Sequence, residues 1–148
     1  MLPEEVRTAA QARAIVEERG LQHVKVGIFD SDGILRGKYI NRDKFLAALD
    51  TGIGFCDVVL GWDSNDKLYD NVKFTGWHTA YPDAMVKLLP GTCRSLPFEG
   101  NMLLFLGEFT GRAEQICPRS TLRRVVERAA ASGYDVSAAA EFEFFVFN

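Results

Sequence analysis

The sequence has few cysteines, and none of them is spaced for metal binding or for a disulfide framework. Cys56, Cys93 and Cys117 are odd in number and far apart, and no CxxC motif is present. Widely spaced single cysteines are typical of reduced thiols in a cytosolic protein. The cysteine pattern therefore argues against a zinc site or a secreted disulfide scaffold, and it predicts a cytoplasmic protein.

The sequence also lacks an excess of positive charge and any run of lysine and arginine. The 17 basic residues stand against 20 acidic ones, which gives a formal net charge of −3. Nucleic-acid binding through phosphates needs a basic surface, so we expect no nucleic-acid partner. No stretch is apolar for the length of a membrane span, and the acidic N-terminus lacks the apolar core of a signal peptide. We therefore expect no membrane partner.

The apolar residues that are present suffice for one ordinary core, since 47% of the 148 residues are hydrophobic. Signals at Pro3 and Gly20 predict a helix over 3–19, and its weak, alanine-rich face indicates loose packing or packing against a partner. The segment HVKVGIFDSDGILRGKYI predicts a β-hairpin that turns at its S-D-G. Asn41 is placed to cap a second helix directly after the hairpin.

The rest of the chain has a loose central region, followed by clear strand and helix patterns. Residues 54–82 are rich in turn formers and predict a long irregular loop. AMVKLLP and NMLLFLGEF predict two strands, and the second should be central because it is apolar on both faces. CPRSTLRRVVERAAASGYD predicts a helix that ends at Gly133, and AAAEFEFFVF predicts a final strand. This order indicates an α+β domain at about 23–110 and a helix–strand unit that needs partners to bury its faces.

The predicted final strand carries two carboxylates. Side chains alternate along a strand, so Glu141 and Glu143 should share one face, with Phe142 and Phe144 on the other. Two unpaired carboxylates on a buried face repel each other and lose hydration. They therefore need a cation, either arginine or a divalent metal such as Mg²⁺ or Mn²⁺. The other interpretation is a solvated edge strand with an ordinary polar face, which the spacing alone favours.

Four segments together resemble the glutamine synthetase family. AEFEFFVF resembles the family's first metal-binding strand, and CPRSTLRR resembles the P-R-S-x-L-R-R helix just before that strand. YPD at 81–83 resembles the P-D of the family's N-terminal domain, and VKVGIFDSDGILRGKYI resembles its opening hairpin. The segments occur in the family's order and cover about residues 20–148.

The resemblance implies a fold and a division of the chain. An N-terminal helix at 1–20 would precede a β-grasp domain at 21–112. Residues 113–148 would be the incomplete start of the catalytic domain, namely its first helix and strand. The resemblance also implies a homo-oligomer whose active sites lie between subunits.

The resemblance further implies a ligase that joins glutamate to ammonia or to another amine, with ATP as co-substrate and Mg²⁺ or Mn²⁺ as cofactor. ATP would phosphorylate the γ-carboxylate of glutamate, and the amine would then displace phosphate. Glu141 and Glu143 would each ligate one of two metal ions. The other ligands and the ATP-binding residues would lie beyond Asn148, so these 148 residues alone are expected to be inactive.

Asp57, in the segment GFCDVVLGW, is a second candidate site residue. The resemblance places it in a loop that reaches the neighbouring subunit's active site, where an aspartate binds the incoming ammonium. This sequence lacks the G-S-S that follows that aspartate in the family, and its spacing to Trp62 is shorter. The other interpretation of Asp57 is a turn or cap aspartate.

Three alternatives stand beside a glutamate–ammonia ligase. The first is a γ-glutamylpolyamine synthetase. The second is a structural relative that has lost catalysis, although the presence of Glu141 and Glu143 argues against it. The third is a free-standing β-grasp binding module. The apolar Phe face of the final strand argues against it, because that face would be exposed to solvent.

Overall fold

The predicted β-hairpin forms the first two strands of the structure. This computed structural model describes residues 1–147. β1 (His23–Phe29) pairs antiparallel with β2 (Leu35–Asn41). Alternation along β1 buries Val24 and Val26 in the core, as the sequence pattern predicts.

The hairpin belongs to one five-stranded sheet with the order β2-β1-β5-β4-β3. The additional strands are β3 (Ile53–Cys56), β4 (Asp83–Ser95) and β5 (Leu103–Phe109). β5 lies in the centre, parallel to β1 and antiparallel to β4. The prediction of a central strand in NMLLFLGEF is therefore confirmed, and the side chain of Phe105 is fully buried there.

The sheet is curled, and a side chain of one edge strand reaches the other. Lys38 of β2 donates a hydrogen bond to the carbonyl oxygen of Gly54 in β3, at 3.5 Å. The same ammonium group lies 4.3 Å from the centroid of the Phe55 ring. The architecture of residues 1–147 is thus a mixed α/β arrangement of a curled sheet with three α-helices.

The N-terminal helix is shorter and better packed than its sequence predicts. A 3-10 helix (Pro3–Glu5) precedes α1 (Ala9–Glu18), where the sequence predicts one helix over 3–19. The break occurs because the Thr8 side chain accepts a hydrogen bond from the backbone N–H of Gln11 and so starts a new helix. Ile15 is fully buried in the core. The expectation of loose packing or of packing against a partner is therefore wrong.

The second helix begins and ends where the sequence predicts. α2 (Arg42–Thr51) is capped by Asn41, whose side-chain oxygen accepts from the backbone N–H of Lys44 at 2.8 Å. Gly52 ends the helix with a φ of 75°, a left-handed conformation that glycine adopts without strain. Its buried Phe45 packs on Phe105 of β5, with ring centroids 4.7 Å apart.

The central region is only partly irregular. β3 and a 3-10 helix (Asp57–Leu60) occupy its beginning, which the sequence predicts as loop. The strand was not evident because it is only four residues long and contains a glycine. The chain then runs irregularly over 61–82, apart from one bridge between Trp62 and Leu68.

The third helix is present but exposes its apolar stripe. A 3-10 helix (Gly111–Gln115) leads into α3 (Pro118–Ala131), which ends two residues before Gly133. Ion pairs from Arg119 and Arg123 to the nearly buried Glu108 tie α3 to β5. Leu122 of the same helix is nevertheless 64% exposed. No helix of residues 1–147 is long and apolar enough to span a membrane.

The final strand predicted for AAAEFEFFVF is not formed in the described residues. Residues 134–147 have no regular secondary structure, and the side chains of Phe142 and Phe144 are 86% and 80% exposed. A strand needs a hydrogen-bonded neighbour, and no described strand pairs with this segment. The predicted placement of Glu141 and Glu143 on one face of a buried strand is therefore wrong in this structure. The predicted need of this unit for partners agrees with its exposed apolar side chains.

Candidate functional site

The predicted site residues fall in two separate parts of the structure. Asp57 is the first residue of the 3-10 helix that follows β3, and it is buried against the sheet. Glu141 and Glu143 lie in the irregular C-terminal segment and are exposed. These residues 1–147 therefore do not assemble a complete active site around the three carboxylates.

Two hydrogen bonds hold Asp57 in place, one through its backbone N–H and one through a side-chain oxygen. Its backbone N–H donates to the carbonyl oxygen of Pro82 at 3.0 Å, which fixes it beside the start of β4. Its Oδ1 accepts a hydrogen bond from the hydroxyl of Thr75 at 2.5 Å. Thr75 is fully buried and Asp57 is 5% exposed, so this contact is shielded from water. The carboxylate is therefore oriented rather than free to rotate.

Thr75 is a site residue that the sequence does not reveal. It lies in the irregular segment 61–82, between Phe74 and a glycine, with no helix or strand periodicity to mark it as buried. Its side chain also fills the space beside Gly61, since a Cβ built on that glycine would meet Thr75 at 2.7 Å. Only the folded path of the loop brings the hydroxyl to Asp57.

A cleft of about 320 Å³ opens beside Asp57. Its walls come from the end of the irregular segment, from β4 and from the turn after β5. The lining residues are Asp57, Phe74, Pro82, Ala84, Met85, Thr110, Gly111, Arg112 and Ala113. One buried carboxylate thus faces a mainly apolar wall.

Arg36 holds the segment 62–66, which follows the 3-10 helix of Asp57, against the turn between β1 and β2. Arg36 pairs with the fully buried Asp30 at 2.7 Å and with Asp66 at 2.6 Å. Its guanidinium carbon also lies 4.9 Å from the centroid of the Trp62 ring. The hydroxyl of Ser31 donates to the carbonyl oxygen of Trp62 at 3.1 Å. The hairpin turn therefore fixes where Trp62 and its loop lie.

A second aspartate of the same turn completes this attachment. Asp32 accepts hydrogen bonds from the backbone N–H of Ser64 at 2.9 Å and from the hydroxyl of Tyr69 at 3.2 Å. Burial of the hydroxyl, together with the negative charge of Asp32, raises the pKa of Tyr69. Tyr69 therefore stays protonated and serves as a donor at neutral pH. The S-D-G segment therefore forms the hairpin turn and also holds the irregular segment 61–82 in place through these hydrogen bonds.

Glu141 and Glu143 have the right chemistry for a divalent metal but not the number of ligands. Carboxylate oxygens are ligands that Mg²⁺ and Mn²⁺ prefer. Residues 1–147 contain no group of three or more histidine, cysteine, aspartate or glutamate side chains that would hold a metal ion. The two glutamates fit a metal site as a partial donor set that needs further ligands.

Comparison with known proteins supplies the wider context for these residues. The family described as "Glutamine synthetase, catalytic domain" matches residues 115–148. The type-1 glutamine synthetase 2 of Dictyostelium discoideum is 44% identical over 128 residues, which cover 84% of this chain and 25% of that protein. The glutamate–isopropylamine ligase of a Pseudomonas species is 34% identical, covering 100% of this chain and 33% of that protein.

A third relative, a gamma-glutamylethanolamide synthetase of Streptomyces coelicolor, is 28% identical over 93% of this chain and 31% of that protein. The chain thus spans about a quarter to a third of the length of the curated relatives it matches.

Solved structures share the fold at lower sequence identity. The GmaS/ADP complex superposes with a TM-score of 0.61 at 17% identity, covering 81% of this chain and 25% of that chain. Plasmodium falciparum glutamine synthetase gives a TM-score of 0.60 at 17% identity, covering 85% of this chain and 23% of that chain. The likeness covers more than four fifths of this chain in both structures.

Proposed function

The chain belongs to the glutamine synthetase family, and from that premise we propose that it is the N-terminal part of an ATP-dependent glutamate–amine ligase. The observation that carries this proposal is the similarity to a glutamate–isopropylamine ligase, which extends over 100% of the chain. The relatives are named as ligases or synthetases that form glutamine or γ-glutamyl amides, so amide formation is their shared chemistry.

The proposed reaction proceeds in two balanced steps. The γ-carboxylate oxygen of glutamate attacks the γ-phosphorus of ATP, which forms γ-glutamyl phosphate and releases ADP. The neutral amine nitrogen then attacks the acyl carbon. The C–N bond forms, the bond from carbon to the phosphate oxygen breaks, and the amine loses a proton as phosphate leaves. The amine substrate is ammonia or a primary amine.

Asp57 is proposed to act on the amine. Its carboxylate would hold the protonated amine and accept a proton from it, since only the neutral nitrogen is nucleophilic. The hydrogen bond from Thr75 leaves one carboxylate oxygen for this task. The family's arrangement, in which such an aspartate serves a neighbouring subunit, makes the proposed enzyme a homo-oligomer.

Glu141 and Glu143 are proposed as metal ligands. When bound, Mg²⁺ or Mn²⁺ would neutralise the phosphoryl oxygens and hold the reactants in line. Both glutamates lie within the part of the chain that matches the catalytic-domain family, residues 115–148. We also propose that residues 21–112 form a β-grasp domain and that residues 113–148 begin the catalytic domain.

The test is an assay of the full-length parent protein with glutamate, ATP, Mg²⁺ and a panel of amines. We expect ADP release that depends on both glutamate and an amine, and a γ-glutamyl amide identified by mass spectrometry. The 148-residue chain alone should give no product. Absence of ATP-dependent amide with every amine in the panel, by a folded parent protein, would overturn the proposal.

A further inference from the structure

The helix α3 lies on the sheet with very little apolar burial. All 14 residues of α3 are described, and Ser120 is the one among them that is buried. The side chains of Val125 and Val126 are 56% and 40% exposed, and Leu122 is more exposed still. Because the stabilisation from apolar burial scales with the area removed from water, this burial contributes little to holding α3 in place.

Charged side chains hold the helix instead. Nε of Arg119 donates a hydrogen bond to Oε1 of Glu108 on β5 at 3.2 Å, and Nε of Arg123 lies 3.8 Å from Oε2. Both carboxylate oxygens of Glu108 are therefore close to an arginine of α3, and Glu108 is only 7% exposed. The two arginine side chains stay partly open to solvent, so dissolved salt screens these ion pairs.

The other polar contacts of α3 are made within the helix or with the 3-10 helix that precedes it. Arg123 also pairs with Glu114 at 3.0 Å and with Glu127 at 3.5 Å. Arg124 donates to the carbonyl oxygen of Glu114 at 3.2 Å. Among the ion pairs of residues 1–147, those to Glu108 are the ones that join α3 to the sheet.

The docked helix also buries a hydroxyl group that has no partner. Ser120 is fully buried, and its Oγ has no hydrogen-bond partner among residues 1–147. A buried hydroxyl of this kind is destabilising, because it has lost its hydrogen bonds to water and has gained none in return. Movement of α3 away from the sheet would return water to Ser120. The docked position is thus favoured by a charge attraction and opposed by an unsatisfied group.

We propose that Glu108, Arg119 and Arg123 form an electrostatic latch, which holds α3 on the sheet and releases it when the attraction is screened, while the sheet stays folded. The sheet keeps its own packing without α3, since Phe105 of β5 packs on Phe45 of α2. α3 lies within residues 115–148, which match the catalytic-domain family. The latch therefore sets how this part of the chain is oriented against the sheet. The inference concerns a movement of the chain and does not depend on the proposed ligase reaction.

Two buried cysteines allow the movement to be measured. Cys117 is the N-cap residue of α3 and is 3% exposed, so the docked helix protects it from thiol reagents. Cys93 of β4 is fully buried in the core and is the internal control. The 148-residue chain is treated with brief pulses of N-ethylmaleimide, and mass spectrometry measures the modification of each cysteine separately. An increase in NaCl from about 0.05 M to about 1 M should raise the labelling rate of Cys117 about tenfold and leave that of Cys93 unchanged.

Three variants test the named groups. Glu108→Gln keeps the size of the side chain but removes its charge, so Cys117 should react about tenfold faster than in the wild type at low salt and should respond little to added salt. Glu127→Gln is the matched control, because it removes the same charge from a partner of Arg123 that is not on the sheet, and it should behave as the wild type does. Ser120→Ala removes the unpartnered hydroxyl and should slow the labelling of Cys117.

The outcomes separate release of α3 from general unfolding. A labelling rate of Cys117 that is unchanged by salt and by Glu108→Gln would overturn the proposal. A parallel rise in the labelling of Cys93 would also overturn it, because the sheet would then be opening together with the helix. If Glu108→Gln does not fold, the salt series of the wild type and the Ser120→Ala variant decide the question by the same two criteria.

Discussion

The hydroxyl oxygen of Thr75 lies 2.5 Å from Oδ1 of Asp57, and both residues are buried. The contact joins a loop of irregular path to the first residue after β3, across 18 positions of sequence. It orients the carboxylate on which the proposed amine chemistry depends. It is also a stability element, because a shielded hydrogen bond to a charged group is stronger than one in water.

Thr75→Val should lower the free energy of unfolding by about 1–3 kcal/mol, because the nearly buried Oδ1 of Asp57 loses its donor. Thr75→Ser is the matched control, since it keeps the hydroxyl, and it should be less destabilising than Thr75→Val. Urea unfolding followed by circular dichroism measures both. A Thr75→Val variant as stable as the wild type would show that the hydrogen bond contributes nothing to the fold.

Arg36→Met should destabilise the chain by about 3 kcal/mol, because the fully buried Asp30 would be left without its counter-charge. Arg42→Met serves as the comparison, since Arg42 pairs with Asp43 on the surface, where such pairs contribute at most about 1 kcal/mol. Thermal and urea unfolding should show a clearly larger loss of stability for Arg36→Met than for Arg42→Met. Equal effects would mean that the Asp30–Arg36 pair is no more important than a surface pair.

Glu99 should titrate below the ordinary range for glutamate. Hydrogen bonds from Lys25 and Tyr39 lower the pKa of Glu99 from 4.5, and Glu99 in turn raises the pKa of Lys25 above 10.5. The folded state favours the ionised Glu99 carboxylate. The stability that Glu99 contributes is therefore fully present above its pKa in the unfolded chain, and it is lost as the pH falls through its lower pKa in the folded chain. NMR titration of the Glu99 carboxyl measures the midpoint.

Lys25→Met should move the Glu99 midpoint upward, towards 4.5, because the largest of these hydrogen bonds is removed. The stability difference between the wild type and Glu99→Gln should also shrink as the pH falls below 4.5. A Glu99 midpoint that is the same in the wild type and in Lys25→Met would contradict the assigned cause.

The three thiols should react at different rates in the folded chain. Burial raises the pKa of the Cys93 thiol to about 11, so almost none of it is thiolate at neutral pH. Cys117 is also buried, whereas Cys56 is partly exposed. A thiol-reactive chromophore should therefore label Cys56 first and the other two only slowly. Cys56→Ser should remove the fast phase, and urea should make the remaining thiols fast; rapid labelling of that variant without urea would contradict the burial of Cys93 and Cys117.

In the full-length parent, Glu141→Ala and Glu143→Ala should each weaken the binding of Mn²⁺ and lower the amide-forming activity sharply, since each removes a proposed metal ligand. Glu127→Ala is the control, because Glu127 is an exposed acid on α3 outside the proposed site. Metal titration by calorimetry and the ADP-release assay report the two effects separately. Wild-type metal affinity and activity in both variants would show that Glu141 and Glu143 are ordinary solvated acids and not metal ligands.

Much of the fold follows from local signals in the sequence. The hairpin, α2 and α3 are predicted with nearly their observed bounds, because alternation, caps and glycine ends act within a few residues of one another. The central position of β5 follows from its uninterrupted apolar run. β3 escapes prediction because a four-residue strand with a glycine has too little pattern to reveal it.

Less of the candidate site than of the fold can be predicted from the sequence. Asp57, Glu141 and Glu143 are identified by resemblance, but nothing in their local sequence states their surroundings. Thr75 has no signal at all, because its role depends on a loop that returns to Asp57. The cleft likewise draws its walls from three separated segments.

The sequence by itself determined which residue types are available and where the local elements begin and end. It determined the wide spacing of the cysteines, the acidic balance and the helix caps, because these depend on composition or on neighbours in the chain. The tertiary structure decided that α1 is firmly packed, that Thr75 orients Asp57 and that the final strand is not formed among the described residues. Each of these depends on groups distant in sequence, because burial and strand pairing require a partner that only the folded chain brings into contact.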